Sequence, residues 1–468
     1  MKPLSVSLLL LCGLVLNAYA QSRVVLLRDT ATVQVSPKQL AGRYPSVTGI
    51  RQRKEDFDSL RKYQGQWDQF LRQNQKQIPV KGVLLQADEF IRPDGSYDWV
   101  FCRFYQAALT PEQETQLLEL MREWYERHPH PVKTTTGFRQ TGMQTIGIVT
   151  PPRTTRKGPG IINTLEAAKA TTRPDTVKAL LLNQLELTSI PDEVYRFPNL
   201  EELDLSRNSL NRIPGRLTRD IPHLKRLSVM FNGLHADSLS FVKNRHLLAL
   251  NIQGNKFTDI PVSVRQNRKL ESLWLGNNKL TTLDISRIRS LRRLTDLNLY
   301  NVGLSSIPPQ IRRFRRLKVL DLYYNKLTEL PPSIGRLRRL EQLAISHNQL
   351  KTLPQSVRKL RRLQMLYAHH NQLSDLPARL NQLKALRIVD VGYNWFSTVP
   401  PVLSRLPSLE ELDLSSNNLH DLPGSLVNLR QLKKLYLRQN PVTRKAASEA
   451  PYTLLIDQLK TNQTEVFY

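Results

Sequence analysis

A repeat of 23 or 24 residues runs through the second part of this 468-residue chain. The string LxxLxLxxNxL, usually followed by xxLPxxIxxL, occurs twelve times between residue 177 and about residue 442. The copies open at Val177, Leu200, Leu224, Leu247, Leu270, Leu294, Leu317, Leu340, Leu363, Leu386, Leu409 and Leu432. One such unit is too small to bury its own apolar face, so a period kept in register predicts stacked units that share a core.

Within each copy, the spacing of the leucines predicts a short strand. Leu320 and Leu322 alternate with polar residues, as expected for a strand with one buried face. A proline such as Pro331 follows in most copies and fixes φ where the chain turns back. The sequence therefore predicts an α/β solenoid with a parallel inner sheet over a continuous core of leucines.

The ninth position of the repeat is asparagine in ten copies, and Leu185 and Val302 interrupt the series. These are Asn208, Asn232, Asn255, Asn278, Asn325, Asn348, Asn371, Asn394, Asn417 and Asn440. In this pattern, residues 177–442 resemble the typical 23-residue leucine-rich repeat of the LPxxIxxL class. The resemblance implies a horseshoe, asparagines that bond to backbone groups inside the turns, and a concave face used for binding. Because the paired cysteines that often flank extracellular eukaryotic repeats are absent, the chain is more similar to bacterial members.

The amino terminus reads as a signal peptide over residues 1–20. Lys2 precedes a short apolar run, and Ala18-Tyr19-Ala20 is a suitable cleavage site. No segment has the roughly 20 apolar residues of a membrane-spanning helix. The sequence therefore predicts an exported protein that is periplasmic, at the cell surface or secreted.

Residues 21–150 are expected to form a small α+β domain. Strands are predicted for Val80–Phe90, Tyr97–Tyr105 and about Thr141–Thr150, and Thr110-Pro111 opens a helix before the last of them. A linker and amino-terminal cap over residues 151–176 and a carboxyl-terminal cap over residues 443–468 complete the predicted organisation.

No motif in residues 21–150 indicates catalysis. The domain lacks the H-E-x-x-H, G-x-S-x-G and P-loop patterns, and no clustered carboxylates stand in for them. Cys102, the one cysteine that remains after signal removal, has no base near it in sequence and is interpreted as a small buried residue. We therefore expect a protein that is not an enzyme and that needs no cofactor.

Aromatic and histidine residues concentrate at repeat positions that line or border the concave face. Tyrosine and tryptophan bring large apolar area with little entropy to lose, and core packing does not explain side chains that point away from the core. The alternative is a set of scattered surface aromatics. The candidate partner-binding residues are Phe231, Trp274, Tyr300, Tyr323, Tyr324, His347, Tyr367, His369, His370, Tyr393 and Tyr436.

Three of these residues raise the question of a metal site. His347 and His370 are 23 residues apart, which places them on adjacent coils about 5 Å apart. No carboxylate or thiolate clearly completes a ligand set with His369, so the sequence predicts no metal site. Polar or pH-sensitive contacts are the expected role of these histidines.

A second set of residues is strongly basic. Residues 284–362 contain eighteen Lys and Arg against five Asp and Glu, in a chain whose formal net charge is +28. Because equivalent positions stack, the basic residues should form columns of like charge, either as a solvated repeat edge or as an anion-binding surface. The candidate anion-binding residues are Arg292, Arg293, Arg313, Arg315, Arg316, Arg336, Arg338, Arg339, Lys359, Arg361 and Arg362.

The sequence thus favours an exported, non-catalytic binding scaffold that recognises a protein or glycan on its concave face. The alternative is electrostatic attachment to an anionic envelope or polysaccharide surface through the arginine columns. Nucleic acid is disfavoured as a partner because export and the absence of a nucleic-acid-binding motif both argue against it.

Overall fold

The computed structural model describes residues 23–46, 54–74, 77–78, 82–105, 109–146, 153–446 and 450–468. The chain divides into two compact units, Met1–Pro152 and Arg153–Tyr468. The predicted signal peptide at residues 1–20 lies outside the described residues. In the part of the chain that the structure describes, no helix is long and apolar enough to cross a membrane.

The first unit contains a mixed four-stranded sheet in the order β1-β3-β2-β4. β1 runs parallel to β3, and the other pairs are antiparallel. The strands are β1 (Arg23–Leu26), β2 (Val83–Ile91), β3 (Tyr97–Tyr105) and β4 (Phe138–Ile146). The helices are Thr30–Val33, Pro37–Leu40, Lys54–Gln73 and Pro111–Arg127, with a 3-10 turn at Leu27–Asp29.

Local sequence explains how these elements begin and end. The hydroxyl of Thr110 accepts a hydrogen bond from the backbone of Gln113, whose side chain accepts one from the backbone N–H of Thr110, so the predicted helix start is confirmed. The predicted strand Tyr97–Tyr105 has these bounds in the structure, whereas β2 and β4 begin at Val83 and Phe138. The last four residues of the predicted strand Thr141–Thr150 lie outside the described residues.

The second unit contains a sheet of fourteen strands that follow one another in chain order. All neighbouring strands are parallel and in register. The strands are β5 (Ile161–Ile162), β6 (Ala179–Leu181), β7 (Glu202–Asp204), β8 (Arg226–Ser228), β9 (Ala249–Asn251), β10 (Ser272–Trp274), β11 (Asp296–Asn298), β12 (Val319–Asp321), β13 (Gln342–Ala344), β14 (Met365–Tyr367), β15 (Ile388–Asp390), β16 (Glu411–Asp413), β17 (Lys434–Tyr436) and β18 (Glu465–Phe467). The predicted leucine-rich-repeat solenoid is thus confirmed.

A short helical turn follows most strands on the side opposite the sheet. Pro331 shows why such a turn starts where it does, since its extended backbone (φ −66°, ψ 143°) leads directly into the turn. The 3-10 helices of this unit are Pro174–Thr176, Asp192–Arg196, Ala236–Ser238, Val262–Gln266, Ile285–Ile288, Pro309–Arg313, Pro332–Arg336, Gln355–Lys359, Leu380–Gln382, Leu403–Arg405 and Gly424–Asn428. The α-helices are Leu165–Ala170, Arg216–Asp220, Pro441–Ala446 and Ala450–Thr461.

The asparagine series forms a buried ladder beside the leucine core. The side-chain amide of Asn325 donates to the carbonyl oxygens of Leu299 (2.8 Å) and Leu322 (3.0 Å), and its oxygen accepts from the backbone N–H of Leu304 (3.0 Å). Each asparagine therefore satisfies backbone groups of two coils that no strand pairs. At the interruption, Val302 is buried in the core, and the strands on both sides of its repeat keep their register.

The repeats end in short non-repeat segments that extend the sheet. Arg153 donates to the carbonyl oxygens of Asn183 (2.7 Å) and Leu181 (2.9 Å), and β5 pairs with β6. At the other end, β18 pairs with β17, and the helix Ala450–Thr461 buries Leu455 and Leu459 against the core. The terminal strands and this helix therefore give the first and last repeats an apolar neighbour.

Candidate functional site

The eighth position of every repeat has a left-handed backbone conformation. Residues other than glycine, asparagine and aspartate rarely adopt this conformation, because it costs an L-residue on the order of 1 kcal/mol. These residues have φ between 49° and 63° and are Gln184, Arg207, Phe231, Gly254, Asn277, Asn301, Tyr324, His347, His370, Tyr393, Ser416 and Gln439. The shared conformation sends successive side chains in one direction, so that they form a column at the carboxyl ends of the strands.

Four members of this column form a continuous stack of rings. The ring of Tyr324 lies 4.1 Å from that of His347, and the interplanar angle is 14°. His347 lies 4.0 Å from His370, and His370 lies 4.0 Å from Tyr393, with interplanar angles of 13° and 15°. Because strands are about 4.8 Å apart, flat rings on adjacent coils need to lean only slightly to reach contact distance.

Three further rings, at the seventh position, pack against the stack edge-on. Tyr323 lies 4.6 Å from Tyr324 and 5.0 Å from His347, and Tyr300 stacks on Tyr323 at 5.7 Å. His369 lies 5.2 Å from His347. We call this set the ring cluster: Tyr300, Tyr323, Tyr324, His347, His369, His370 and Tyr393.

The ring cluster keeps its histidines neutral. Partial burial lowers the pKa of His347, His369 and His370 below the usual value, and the positive charge of one neighbouring histidine lowers each pKa further. For His369, the nearby Asp413 carboxylate acts in the opposite direction. Burial, together with the neighbouring tyrosines, raises the pKa of Tyr323 to about 12. At neutral pH the cluster is therefore an uncharged aromatic surface with polar edges.

A carboxylate stands next to the ring cluster. Asp390, on β15, places its Oδ2 atom 3.8 Å from Nε2 of His369, and its side chain is 25% exposed. Burial, together with the nearby Asp413 carboxylate, raises the pKa of Asp390 to about 7. Sequence reasoning missed Asp390 because it counted only aromatic residues and histidines at these positions.

Four of the predicted partner-binding residues lie outside the ring cluster. The ring of Phe231 lies under the guanidinium of Arg207, and the indole N–H of Trp274 donates to Asp296 at 2.8 Å. Tyr436 stacks on Phe467 of β18 at 4.6 Å. In the described structure, Tyr367 has no ring contact with the cluster, because the neighbouring coils carry Ala344 and Asp390 at its position.

An exposed tryptophan was also missed by the sequence reasoning. Trp395 is 59% exposed at the tenth position, which the repeat pattern assigns to the turn after the asparagine. An exposed indole so close to Tyr393 extends the apolar surface at this edge of the sheet. Its only sequence signal was the substitution of tryptophan at a position that other repeats fill with small or polar residues.

The opposite edge of the sheet carries the basic residues. An open groove of about 950 Å³ is lined by Arg289, Arg292, Arg312, Arg313, Arg315, Arg336, Arg338 and Arg339, which we call the arginine groove. The eleven predicted anion-binding residues are all exposed, and among the described residues none of them forms a salt bridge. The groove precedes β11 to β13, and six of the eleven line it: Arg292, Arg313, Arg315, Arg336, Arg338 and Arg339. The other five are not among its lining residues: Arg293, Arg316, Lys359, Arg361 and Arg362.

Among the described residues of the first unit, Glu89 is the buried acidic group. Glu89 is 4% exposed and accepts hydrogen bonds from Tyr125 (2.8 Å) and from Gln140 (2.6 Å). Burial raises the pKa of this carboxyl group and that of the fully buried Cys102 thiol. Neither group is placed to meet a substrate from solvent, and a thiol with a raised pKa is a poor nucleophile.

Comparison with known families identifies the repeats. A family model described as leucine-rich repeat matches residues 175–234, 315–373 and 383–442. Two further leucine-rich-repeat models match residues 243–260 and 269–291.

Solved structures with a similar fold include a leucine-rich-repeat protein of Leptospira interrogans. It is 27% identical, with 65% of this chain and 86% of that chain covered at a TM-score of 0.50. An internalin of Listeria monocytogenes is 24% identical, with 57% of this chain and 75% of that chain covered at a TM-score of 0.49. A plant peptide hormone receptor, RGFR1, solved in complex with RGF2, is 28% identical, with 57% of this chain and 48% of that chain covered at a TM-score of 0.46. This chain therefore spans about half of that receptor.

Proposed function

We propose that this chain, which is a leucine-rich-repeat protein, is an exported, non-catalytic scaffold that captures a protein or glycan partner on the ring cluster. The observation that carries the proposal is the single continuous surface of seven rings at the carboxyl ends of β11 to β15. Export rests on the signal-peptide pattern of residues 1–20.

The ring cluster is costly as a purely structural feature. Tyr324 and Tyr393 are 44% and 48% exposed, so nearly half of each large side chain still faces solvent. Both stand on left-handed backbone, where asparagine or glycine would be less strained. A surface that keeps large rings exposed on strained backbone is better explained by what binds there than by folding.

The chemistry of the ring cluster suits a partner with both apolar and hydrogen-bonding groups. Tyrosine hydroxyls and imidazole nitrogens donate and accept hydrogen bonds, while the ring faces offer apolar area. Contacts between neighbouring rings hold the side chains in place before binding, which lowers the entropy lost on association. Protein segments with exposed side chains and sugar rings both fit this surface.

A capture experiment tests the proposal. The double variant Tyr324→Ala/Tyr393→Ala removes both ends of the stack, and Tyr468→Ala removes a tyrosine of similar exposure (48%) outside the cluster. Each full chain is immobilised and exposed to envelope proteins of the source organism, and separately to a glycan array. We expect the double variant to lose at least about tenfold in affinity for whatever the wild type retains, since hot-spot residues contribute about 2 kcal/mol or more.

The Tyr468→Ala variant is the control for the capture experiment. Tyr468→Ala should capture the same partner as the wild type, and both variants should unfold within a few degrees of it. Full capture by the double variant would show that the ring cluster is not the binding surface.

A specific observation favours a second candidate function, electrostatic attachment to an anionic envelope or polysaccharide. The eight residues that line the arginine groove are all arginines, and no carboxylate is among them. Like charges gathered in this way repel one another unless an anion or counterions screen them. The planar guanidinium group of arginine binds carboxylate, sulfate or phosphate groups through two parallel hydrogen bonds.

Retention on immobilised heparin and on lipopolysaccharide tests this second function. Arg313→Gln/Arg336→Gln/Arg338→Gln should elute at clearly lower salt than Arg212→Gln/Arg245→Gln/Arg430→Gln, although both triple variants lose the same net charge. The wild type should elute steeply as salt rises, because Debye screening weakens such contacts. Equal elution of the two variants, or no retention at low salt, would contradict attachment through the groove.

A further inference from the structure

Three histidines of the ring cluster have the mutual spacing of metal ligands. Nitrogen atoms of His347, His369 and His370 all lie within 4.8 Å of one another. Among the residues that the structure describes, no other group of three or more His, Cys, Asp or Glu side chains meets this condition. The neutral imidazole is the commonest nitrogen ligand for zinc and similar divalent ions.

The repeat places these three side chains so that they converge. His347 and His370 occupy the eighth position of adjacent coils, and His369 precedes His370 in the chain. Nδ1 of His369 lies 2.8 Å from Nδ1 of His370, so these two nitrogens face each other. Strand pairing fixes the backbone beneath them, because the N–H of His347 donates to the carbonyl oxygen of His369 at 3.0 Å.

A carboxylate supports one of the rings from behind. While Nδ1 of His369 lies 2.8 Å from Nδ1 of His370, its Nε2 lies 3.8 Å from Oδ2 of Asp390, an ion-pair distance that is longer than a hydrogen bond. Metal-binding histidines characteristically direct their second ring nitrogen to a carboxylate, which orients the ring and makes it a better ligand. In this arrangement Asp390 orients a ligand and is not itself a fourth ligand.

We propose that His347, His369 and His370 form a site for a divalent transition metal ion, with zinc as the expected occupant and Asp390 as the group that orients His369. Three protein ligands leave at least one coordination position open. The inference goes beyond partner capture, because it requires only the ion and this chain.

Binding has a structural consequence for the ring cluster. A metal ion lies near the plane of each imidazole that binds it, whereas the His347 and His370 rings are parallel and 4.0 Å apart. At least one of these rings must therefore rotate about its Cβ–Cγ bond. Rotation interrupts the stack between Tyr324 and Tyr393, so that tyrosine fluorescence should change with metal loading.

The test is a titration of zinc chloride into the full chain, carrying no added histidine tag, by calorimetry. We expect one ion per chain, and a His369→Ala variant should bind at least tenfold more weakly. Asp390→Asn should weaken binding by about tenfold or more while leaving the three ligands in place. Cobalt(II) loading adds an absorption band whose intensity reports the coordination number.

A second pair of histidines provides the matched control. His223 and His246 also lie on adjacent coils, with ring centroids 5.4 Å apart, but no third His, Cys, Asp or Glu among the described residues completes a group with them. His223→Asn/His246→Asn should leave the stoichiometry and affinity unchanged. Circular dichroism identifies a variant that fails to fold, in which case His347→Asn replaces His369→Ala.

Two results would overturn the inference. The wild type could bind no zinc at concentrations up to about 1 mM, the weakest affinity worth assigning to a site. Alternatively, His369→Ala and His347→Asn could both bind as tightly as the wild type. Partner capture is measured separately without metal, so its failure and the failure of the metal site are distinguishable.

Discussion

The two edges of the fourteen-stranded sheet share one period but carry opposite chemistry. The ring cluster follows the carboxyl ends of β11 to β15, and the arginine groove precedes the amino ends of β11 to β13. On one edge, neighbouring side chains contact each other at 4.0 Å. On the other edge, the arginines that line the groove are exposed, and none of them has a salt bridge to a described residue. Side chains at equivalent repeat positions therefore contact one another only where they are flat and uncharged and where the backbone points them in the same direction.

The largest difference in folding stability between substitutions at the two edges should come from the buried asparagine ladder beneath the ring cluster. The amide of Asn371 donates to the carbonyl oxygens of Ile345 (3.0 Å) and Ala368 (3.1 Å), and its oxygen accepts from the N–H of Leu350 (3.0 Å). Asn371→Ala leaves these buried groups unpaired and should lower the free energy of unfolding by about 2–4 kcal/mol. Urea denaturation measures the change.

A substitution on the opposite edge is the control for Asn371→Ala. Arg361 is exposed, so Arg361→Ala should change the free energy of unfolding by less than about 0.5 kcal/mol. If the two substitutions had equal effects, the asparagine ladder would not be the support that the contacts indicate.

The next effect should be a pH dependence that is specific to the ring-cluster edge. Burial raises the folded-state pKa of Asp390 to about 7, above its unfolded value. Folding therefore favours the neutral form of Asp390. The protein has the full stability from this preference at low pH and loses it as the pH rises from about 4 to 7. Asp390→Asn should raise the free energy of unfolding on the order of 1–2 kcal/mol at pH 8, and much less at pH 4.

Denaturation of the wild type and Asp390→Asn across this pH range measures the effect. Asp237→Asn, at an exposed carboxylate in another repeat, should change the curve little at any pH. A gain for Asp390→Asn that is as large at pH 4 as at pH 8 would contradict the assignment.

A smaller effect distinguishes backbone strain from ring stacking. Ser416 and His370 both have φ of 53°, so glycine should relieve similar strain at either position. Ser416→Gly loses the exposed hydrogen bond from its hydroxyl to Gln439 and should stabilise the protein by less than about 1 kcal/mol. His370→Gly should destabilise it by about 1 kcal/mol, because the ring contacts with His347, His369 and Tyr393 are lost. Thermal unfolding measures the change in stability of each variant. If both variants were stabilised, or both destabilised, the ring stack would not contribute to stability.

The smallest effect should come from the arginine edge. Arg315→Gln/Arg338→Gln/Arg361→Gln removes one row of like charges and should raise the free energy of unfolding by a few tenths of a kcal/mol at low salt. The gain should vanish in about 1 M salt, where screening is complete. A gain that persists at high salt would show that packing, and not repulsion, separates the variant from the wild type.

The sequence was sufficient to predict the solenoid because its register repeats. Asparagine and leucine at fixed positions specify the buried ladder and core without any long-range information, and the structure places Asn325 and Leu320 accordingly. The terminal strand β18 was not predicted, since the pattern around Glu465 has no repeat signature. In the first unit, one-off contacts such as the Glu89 hydrogen bonds have no period from which to infer them.

The sequence predicts which residues belong to the candidate site, but not which of them contact one another. Seven of the eleven partner-binding candidates meet in the ring cluster, because the eighth position is left-handed and the seventh lies beside it. Tyr367 carried the same sequence signal, but its neighbours along the sheet are Ala344 and Asp390. Position and residue type thus indicate a surface, whereas contact depends on what the adjacent coils carry at the same position.

Hydrogen–deuterium exchange of the full chain with and without its captured partner tests the central claim most directly. The backbone N–H groups of Tyr324 and His370 are hydrogen-bonded to the next coil, so their exchange reports local opening at the ring cluster. We predict that binding slows exchange in peptides covering residues 321–325, 344–348, 367–371 and 390–394 and leaves residues 309–316 unchanged. Slower exchange confined to residues 309–316 and 332–339 would contradict the claim and place the partner on the arginine edge.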